Sequence, residues 1–284
     1  MSSVLDYFKL TSPGITLLVL LTGFTGMWIG SRGTPQPSCV LWGILGIGLA
    51  SAGASVFNNY FDRDIDRIMR RTSKRPLPTG RISPQRALLF AVFLSLAASF
   101  VLIFLVNILS AFLAVLTIFL YSYLYTVILK RKTPLATEIG GISGALPPVI
   151  GWAAVKGDIG FEALALFAII FLWQPPHFWA LASRYKADYK KAGIPTLPAV
   201  KTDKETKGRS IIYVMALMII STLPYHVGIA GRLYLLISSA LGIIYLLLYL
   251  SSLLSKRISN GYLFSYSIIY LSFIFILMAI DLKP

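Results

Sequence analysis

Long apolar runs constrain the fold of this chain more than any other feature. Nine stretches, each near the roughly 20 residues that a helix needs to cross a bilayer, are separated by short polar connections. Apolar residues make up 56% of the 284 and charged residues only 13%. That composition leaves too few charges to cover the surface of a soluble protein of this length. The predicted spans cover approximately 12–30, 39–57, 87–106, 110–129, 137–155, 160–183, 210–230, 233–252 and 262–281.

The distribution of Lys and Arg predicts the orientation. Of the 26 cationic residues, four fall in the connections after odd-numbered spans or at the C-terminus, and the other 22 fall on the opposite side. The positive-inside rule therefore predicts a cytoplasmic N-terminus and explains the net charge of +15 without a nucleic-acid partner. No cleavable leader is expected, because Asp6 and Lys9 lead directly into the first span. We expect one transmembrane domain over 1–284.

Three oxygen-bearing side chains follow span 2 at one-turn spacing. If the helix continues beyond the apolar run, Asn58, Asp62 and Asp66 lie at i, i+4 and i+8 on one face. The two carboxylates repel each other unless a hard cation lies between them, and Mg²⁺ prefers oxygen ligands shared with substrate phosphates. The simpler alternative is a solvated charge run with i, i+4 ion pairs. Asp64 points away from this face, which makes it a salt-bridge partner rather than a ligand.

Cationic side chains follow the same segment. Arg67, Arg70, Arg71, Lys74 and Arg75 lie within three turns and are candidates to hold phosphate oxygens by charge-assisted hydrogen bonds. Lys130 and Arg131 follow span 4 and are candidates for the same site, although ordinary membrane anchors are an equal alternative. Tyr125 lies just before them. It is a candidate to stabilise an allylic cation by a cation–π contact, and an interfacial aromatic cluster is the alternative.

A second basic loop weakly resembles the first. Loops 58–86 and 184–209 both follow an even-numbered span, mix Asp with many Lys or Arg, and contain a Pro-rich stretch. This similarity between the two loops suggests two related halves around a central cavity that opens to the cytoplasmic side. The second loop supplies Asp188, Lys190 and Lys191 as candidate substrate contacts. We therefore predict an all-α polytopic protein whose site is carried by these two loops.

His177 lies about 10 Å inside the predicted cytoplasmic end of span 6, at a rise of about 1.5 Å per residue. An ionisable side chain at that depth is a functional candidate by default. Pro175 and Pro176 precede it and are expected to open the helix where a cavity could form. A hydrogen-bonded histidine between helices is the alternative.

These motifs resemble the UbiA superfamily of intramembrane prenyltransferases. The resemblance rests on the string Asn58-Asn59-Tyr60-Phe61-Asp62-Arg63-Asp64-Ile65-Asp66, with Arg71-Thr72 and Lys74-Arg75-Pro76-Leu77-Pro78. The segment Trp173-Gln174-Pro175-Pro176-His177-Phe178-Trp179-Ala180-Leu181 is similar to the heme-directed members, as is Gly193-Ile194-Pro195-Thr196-Leu197-Pro198. The similarity covers essentially the whole chain.

The resemblance implies an activity and a set of residue roles. Heme-directed members join the farnesyl group of farnesyl diphosphate to a vinyl group of heme B, add water and release diphosphate with the help of Mg²⁺. Asn58, Asp62 and Asp66 are then expected to hold Mg²⁺-diphosphate. Arg71 and Arg75 are expected to neutralise the leaving group or contact a heme propionate, and His177 to lie at the heme or the reacting carbons.

One departure from the superfamily pattern concerns the second loop. Other members carry several carboxylates just after span 6, whereas the corresponding stretch of this chain, 184–191, has Asp188 alone, so the resemblance does not extend to a second fully acidic Mg²⁺ site. The resemblance also implies the plasma membrane of a prokaryote. Association with a heme A synthase, with terminal oxidase assembly, or as a homo-oligomer remains open. A prenyltransferase for an aromatic quinone precursor, a transporter and a heme-carrying subunit are the alternative functions.

Overall fold

The computed structural model describes residues 4–255 and 258–283, and no β-strand occurs in these ranges. Lys256 and Arg257 are two of the 22 cationic residues on the predicted cytoplasmic side, and they lie outside the described residues. The elements are α1 (Val4–Leu10), α2 (Pro13–Gly30), α3 (Pro37–Phe61), α4 (Arg63–Ile68), α5 (Pro84–Leu105), α6 (Ile108–Phe119), a π-helix (Leu120–Leu129), α7 (Ala136–Ala145), α8 (Pro147–Lys156), α9 (Phe161–Arg184), α10 (Lys186–Lys191), α11 (Leu197–Val200), α12 (Asp203–Ile220), α13 (Leu223–His226), α14 (Arg232–Ser255) and α15 (Asn260–Ile280).

The predicted membrane-spanning architecture is confirmed in its main features. Within the described ranges, eight helical segments are long and apolar enough to cross a bilayer: α2, α3, α5, α6 with the π-helix, α9, α12 with α13, α14 and α15. Many of their outward side chains are large and apolar, as the lipid-facing surface of an integral membrane protein requires. The chain is therefore an integral membrane protein of the all-α class.

The predicted fifth span is not one continuous helix. It consists of α7 and α8, which meet at Leu146, and each is only 10 residues long. Pro147 and Pro148 have no backbone N–H to donate to the preceding turn, which removes two of the hydrogen bonds that would continue α7. They are well suited to begin α8, because the first N–H groups of a helix lack partners in any case.

Two glycines allow the broken span to pack tightly against α2. A Cβ at Gly26 would lie 2.1 Å from the carbonyl oxygen of Pro148, and one at Gly151 would lie 1.9 Å from that of Gly23. Backbones this close require the absence of a side chain, a common device for helix association in membranes. The first and fifth spans are thereby held together without a continuous fifth helix.

The elements that carry the candidate site end together at one end of the bundle, here called the loop end. There α3 continues to Phe61, one turn beyond the apolar run, and α4 follows immediately after Asp62. The π-helix ends at Leu129. Contrary to expectation, Pro175 and Pro176 do not interrupt α9, which runs unbroken to Arg184.

Candidate active site at the loop end

The structure places Asn58, Asp62 and Asp66 on one side of the chain, although α3 and α4 are separate helices. The backbone N–H of Asp62 donates to the carbonyl oxygen of Asn58 at 2.9 Å, and that of Asp66 donates to Asp62 at 2.7 Å. Helical hydrogen bonding therefore continues across the boundary and keeps the three side chains in register. The Asp62 and Asp66 residues are buried, with 1% and 3% of their surface exposed.

Lys130 pairs with Asp62 from the opposite side of the site. Its Nζ donates to Oδ2 of Asp62, and both side chains are largely buried. Burial by itself lowers the pKa of the Lys130 ammonium, but the attraction of the Asp62 carboxylate outweighs it, and the net pKa is raised. Lys130 therefore remains charged. The pairing gives Lys130 a place in the site that simple membrane anchoring does not explain.

Asp66 is paired with Arg75 across the first loop. The Nη1 of Arg75 donates to Oδ2 of Asp66 at 2.8 Å, and the Thr72 hydroxyl donates to the Asp66 carbonyl oxygen at 3.3 Å. In a solvated charge run with i, i+4 ion pairs, Asp66 would pair with Arg70 one turn away. The structure instead folds the loop back, so that a guanidinium nine residues along the chain reaches the carboxylate.

The donor atoms of this cluster fit a magnesium ion. Oδ1 of Asp62 is buried and has no hydrogen-bond partner among the described residues, an arrangement that is costly unless another ligand uses its lone pairs. No group of three His, Cys, Asp or Glu side chains in those ranges is arranged to hold a metal. Asn58 and substrate oxygens would therefore have to complete the ligand set, which is the usual manner of Mg²⁺ binding.

Thr126 is a site residue that the sequence did not indicate. Its hydroxyl donates to the carbonyl oxygen of Tyr121 at 2.8 Å and lies 3.0 Å from Nδ2 of Asn58. A hydroxyl has a single proton, so Thr126 must accept from the Asn58 amide. The second N–H of that amide donates to Oδ2 of Asp62 at 3.1 Å. Both N–H groups are thus used, which fixes the amide orientation and leaves Oδ1 of Asn58 for a cation.

Thr126→Val is expected to raise the Mg²⁺ concentration needed for half-maximal activity by roughly 10- to 100-fold, the usual effect of losing a residue that orients a metal ligand. Valine keeps the shape but cannot accept a hydrogen bond, so the Asn58 amide is free to rotate. Mn²⁺ binding to the purified protein, followed by electron paramagnetic resonance, provides a readout besides activity. Thr126→Ser should restore both properties. An unchanged metal affinity in Thr126→Val would contradict the orienting role.

The remaining cationic candidates, from the first loop and from the end of the fourth span, have different surroundings. The Arg131 guanidinium donates to both carboxylate oxygens of Asp64 at 3.0 Å, and both side chains are exposed. Burial raises the pKa of Asp64, but the hydrogen bond and the charge of Arg131 together with backbone N–H groups outweigh it, so the net pKa is lowered. Arg131 is therefore engaged elsewhere than at the predicted phosphate site. Arg67, Arg70, Arg71 and Lys74 are exposed.

The two loops meet at Asp188. The backbone N–H of Arg70 donates to Oδ2 of Asp188 at 3.1 Å, and the Arg71 guanidinium lies 5.7 Å from the ring centre of Tyr185. Asp188 is buried, whereas Lys190 and Lys191 at the end of α10 are exposed. Asp188 of the second loop thus attaches the first loop to it.

Tyr125 is held within the π-helix beside the Asp62 cluster. Its ring stacks on that of Tyr121 with 5.8 Å between centres. A Cβ at Gly140 would lie 2.3 Å from Cδ2 of Tyr125, so the absence of a side chain there makes room for the ring. Stretches of π-helix occur frequently at functional sites.

His177 lies between two aromatic rings and contacts α15. The centres of Trp173 and Phe264 are 4.2 and 4.7 Å from the imidazole, and Nδ1 lies 2.6 Å from the Ser267 hydroxyl. That hydroxyl donates its proton to the Phe264 carbonyl oxygen at 2.5 Å. Nδ1 must therefore be the protonated nitrogen, which leaves a lone pair on Nε2 of the neutral ring. Both the interhelical and the functional interpretation are compatible with this geometry.

Solved structures share the fold of this chain. The chain aligns with a structure of digeranylgeranylglyceryl phosphate synthase over 99% of both chains, with a TM-score of 0.79 and 22% identity. It also aligns with a UbiA homologue from Archaeoglobus fulgidus bound to DMAPP and Mg²⁺, over 97% of this chain and 99% of that one, with a TM-score of 0.69 and 19% identity. At these identities the likeness establishes the fold alone.

Residues 19–276 match the UbiA prenyltransferase family, and the chain belongs to this family. Two relatives are considerably closer than the solved structures. The protoheme IX farnesyltransferase of Aquifex aeolicus is 47% identical over 98% of this chain and 95% of its own length. That of Gloeobacter violaceus is 44% identical over 97% of this chain and 91% of its own.

Proposed function

We propose that this protein transfers a farnesyl group from farnesyl diphosphate to a vinyl group of heme B, with addition of water, giving heme O and diphosphate. The observation that carries the proposal is the Asn58–Asp62–Asp66 cluster, with its unpartnered carboxylate oxygen and flanking cations. The relatives of 44–47% identity, which carry the name protoheme IX farnesyltransferase, support this choice of acceptor and donor.

The donor end of the reaction follows from the charges of the site. Mg²⁺ bound by Asn58, Asp62 and Asp66 would neutralise phosphate oxygens and so make diphosphate a better leaving group. Lys130 and Arg75 form ion pairs with Asp62 and Asp66. They can donate hydrogen bonds to the diphosphate oxygens that gain negative charge as the carbon–oxygen bond breaks. The exposed Arg71 lies in the same loop as Arg75 and extends this positive field.

The acceptor end uses the apolar interior of the bundle. As C1 of the donor gains cation character, the π-electrons of the heme vinyl group attack it, and a new carbon–carbon bond forms while diphosphate leaves with the electron pair. Water then adds to the resulting cation and loses a proton. The stacked Tyr121 and Tyr125 rings can stabilise the first cation. Nε2 of His177 can accept the proton or contact the heme iron.

Orientation and location are part of the proposal. The excess of Lys and Arg in the loops supports a loop end in the cytoplasm of a prokaryotic cell, with the bundle in the plasma membrane. The diphosphate then meets the site from the water, and the farnesyl chain lies among the helices.

The test is a direct assay of the product. Membranes containing the protein are incubated with heme B, farnesyl diphosphate and Mg²⁺, and hydroxyfarnesylated heme is measured by mass spectrometry. We expect product in this mixture, near-complete loss in excess EDTA, and recovery when Mg²⁺ is restored. A parallel mixture contains 4-hydroxybenzoate in place of heme B, and prenylated hydroxybenzoate there without any heme product in the first mixture would instead identify an aromatic acceptor. Equal turnover in EDTA would contradict the metal site.

A further inference from the structure

A strongly basic pocket of about 440 Å³ lies beside the candidate active site. Five of its six lining residues are cationic: Lys9, Arg71, Lys74, Arg75 and Arg81, with Pro76 as the sixth. Lys9 comes from α1 and the others from the first loop. Neither Lys9 nor Arg81 was indicated as a site residue by the sequence.

The pocket has an excess of positive charge. Arg75 is paired with Asp66, and Nε of Arg81 lies 3.3 Å from Oδ1 of Asp6. In the part of the chain that the structure describes, Lys9, Arg71 and Lys74 form no ion pair. Like charges gathered around one cavity repel each other, and an anion from solution relieves that repulsion.

Several contacts fix α1 against the first loop and so place Lys9 at the pocket. Arg81 bonds Asp6 of α1 and also donates to the Lys74 carbonyl oxygen at 2.9 Å. Nδ2 of Asn59 donates to the carbonyl oxygen of Leu10 at 3.1 Å, and the Tyr7 ring lies edge-on to Phe90. Lys9 is therefore held at the pocket by the packing of its helix.

The composition of the pocket suits an anion that binds directly. None of its six lining residues is a carboxylate, so the pocket offers a metal ion no anionic ligand. Guanidinium groups bind carboxylates and phosphates through paired N–H donors, and lysines add point charges. Arg75 belongs to both this pocket and the Asp62–Asp66 cluster, which makes the two sites neighbours.

The proposed reaction has two anionic substrates, and the structure has two neighbouring sites for anions. The metal cluster accounts for the diphosphate. We propose that the basic pocket binds the propionate carboxylates of the heme acceptor, with Lys9, Lys74 and Arg81 as the contacts that the metal cluster does not share. This inference rests on the proposed function and assigns the acceptor subsite within it.

Direct heme binding tests the inference without turnover. The full-length protein in lipid nanodiscs is titrated with heme B and with its dimethyl ester, whose propionates are uncharged, and the heme absorbance is followed. We expect the double variant Lys9→Gln, Lys74→Gln to bind heme B about tenfold more weakly, the effect of losing two exposed charge-assisted contacts. Its affinity for the ester should equal that of the parent. Lys204→Gln, an exposed lysine of α12 outside the pocket, is the matched control and should change neither affinity.

Turnover then separates the two anionic substrates. The double variant should raise the KM for heme B and leave the KM for farnesyl diphosphate unchanged. A rise in the KM for farnesyl diphosphate alone would assign the pocket to the diphosphate. If the double variant bound heme B and the dimethyl ester with equally reduced affinity, the pocket would not contact the propionate carboxylates. Either result overturns the inference. If the parent binds heme with this charge dependence but makes no heme product, the proposed function fails and the pocket assignment stands.

Discussion

Asp62→Asn is expected to lower the rate of prenyl transfer about a thousandfold, because a bound metal contributes several kcal/mol of charge stabilisation in reactions of this kind. Asn58 and Asp66 flank Asp62, and the free Oδ1 of Asp62 is the buried oxygen with no other partner in the cluster. An amide in its place keeps the volume but removes the negative charge. The measurement is initial rate of hydroxyfarnesylated heme formation at saturating substrates.

Asp64→Asn is the matched control for this experiment. Asp64 lies two residues away in the same sequence motif, but its side chain is 61% exposed and pairs with Arg131 outside the cluster. We expect at most a small change in rate, since exposed ion pairs contribute about 0–1 kcal/mol. Comparable losses in the two variants would show that the motif contributes general negative charge rather than metal ligands.

The sequence was sufficient to predict the membrane-spanning architecture and the shared face of the Asn58 motif. Both follow from local rules: apolar runs of bilayer length, and a helical repeat that continues past the end of an apolar run. The same repeat indicated that Asp64 points away from the motif face. Its actual partner, Arg131, is 67 residues distant in the chain, and no local pattern indicates that contact.

Features that depend on long-range packing were not predictable. The Pro-Pro pairs at 147–148 and 175–176 are alike in the sequence, yet only the first lies between two helices, so the local sequence does not decide which span is broken. Thr126 resembles any other small polar residue in an apolar stretch. Only the π-helix, which brings its hydroxyl to the Tyr121 carbonyl and the Asn58 amide, gives it a role.

Lys130→Gln is expected to lower turnover roughly a hundredfold and, at the same time, to tighten Mg²⁺ binding in the absence of substrate. Turnover falls because a buried cation that faces the developing negative charge is lost, and such a loss typically lowers kcat by about 10²–10³. Tighter Mg²⁺ binding is expected because the Lys130 ammonium occupies Oδ2 of Asp62. Without the Lys130 ammonium, the Asp62 carboxylate is free to bind the metal, and the repulsion between the ammonium and the metal cation is absent. We expect the affinity for the metal to rise roughly tenfold.

The opposite signs of these effects distinguish the site role of Lys130 from a purely structural one. Mn²⁺ affinity and turnover are measured on the same preparation, with Lys132→Gln, an exposed neighbour, as the control. Because the pKa of Lys130 is raised by Asp62, its charge persists between about pH 6 and 9, and the parent should show no loss of activity from its titration there. Weaker metal binding in Lys130→Gln would contradict the proposed competition.

The pairing of Lys130 with Asp62 also predicts how their substitutions combine. Each single variant leaves a buried charge without its partner, which typically costs about 3–5 kcal/mol of stability. The double variant Asp62→Asn, Lys130→Gln leaves neither charge, so thermal unfolding in detergent should approach that of the parent. Turnover should remain as low as in Asp62→Asn, because the metal ligand is still missing. Recovery of stability without recovery of activity would separate the contribution of this ion pair to folding from its contribution to catalysis.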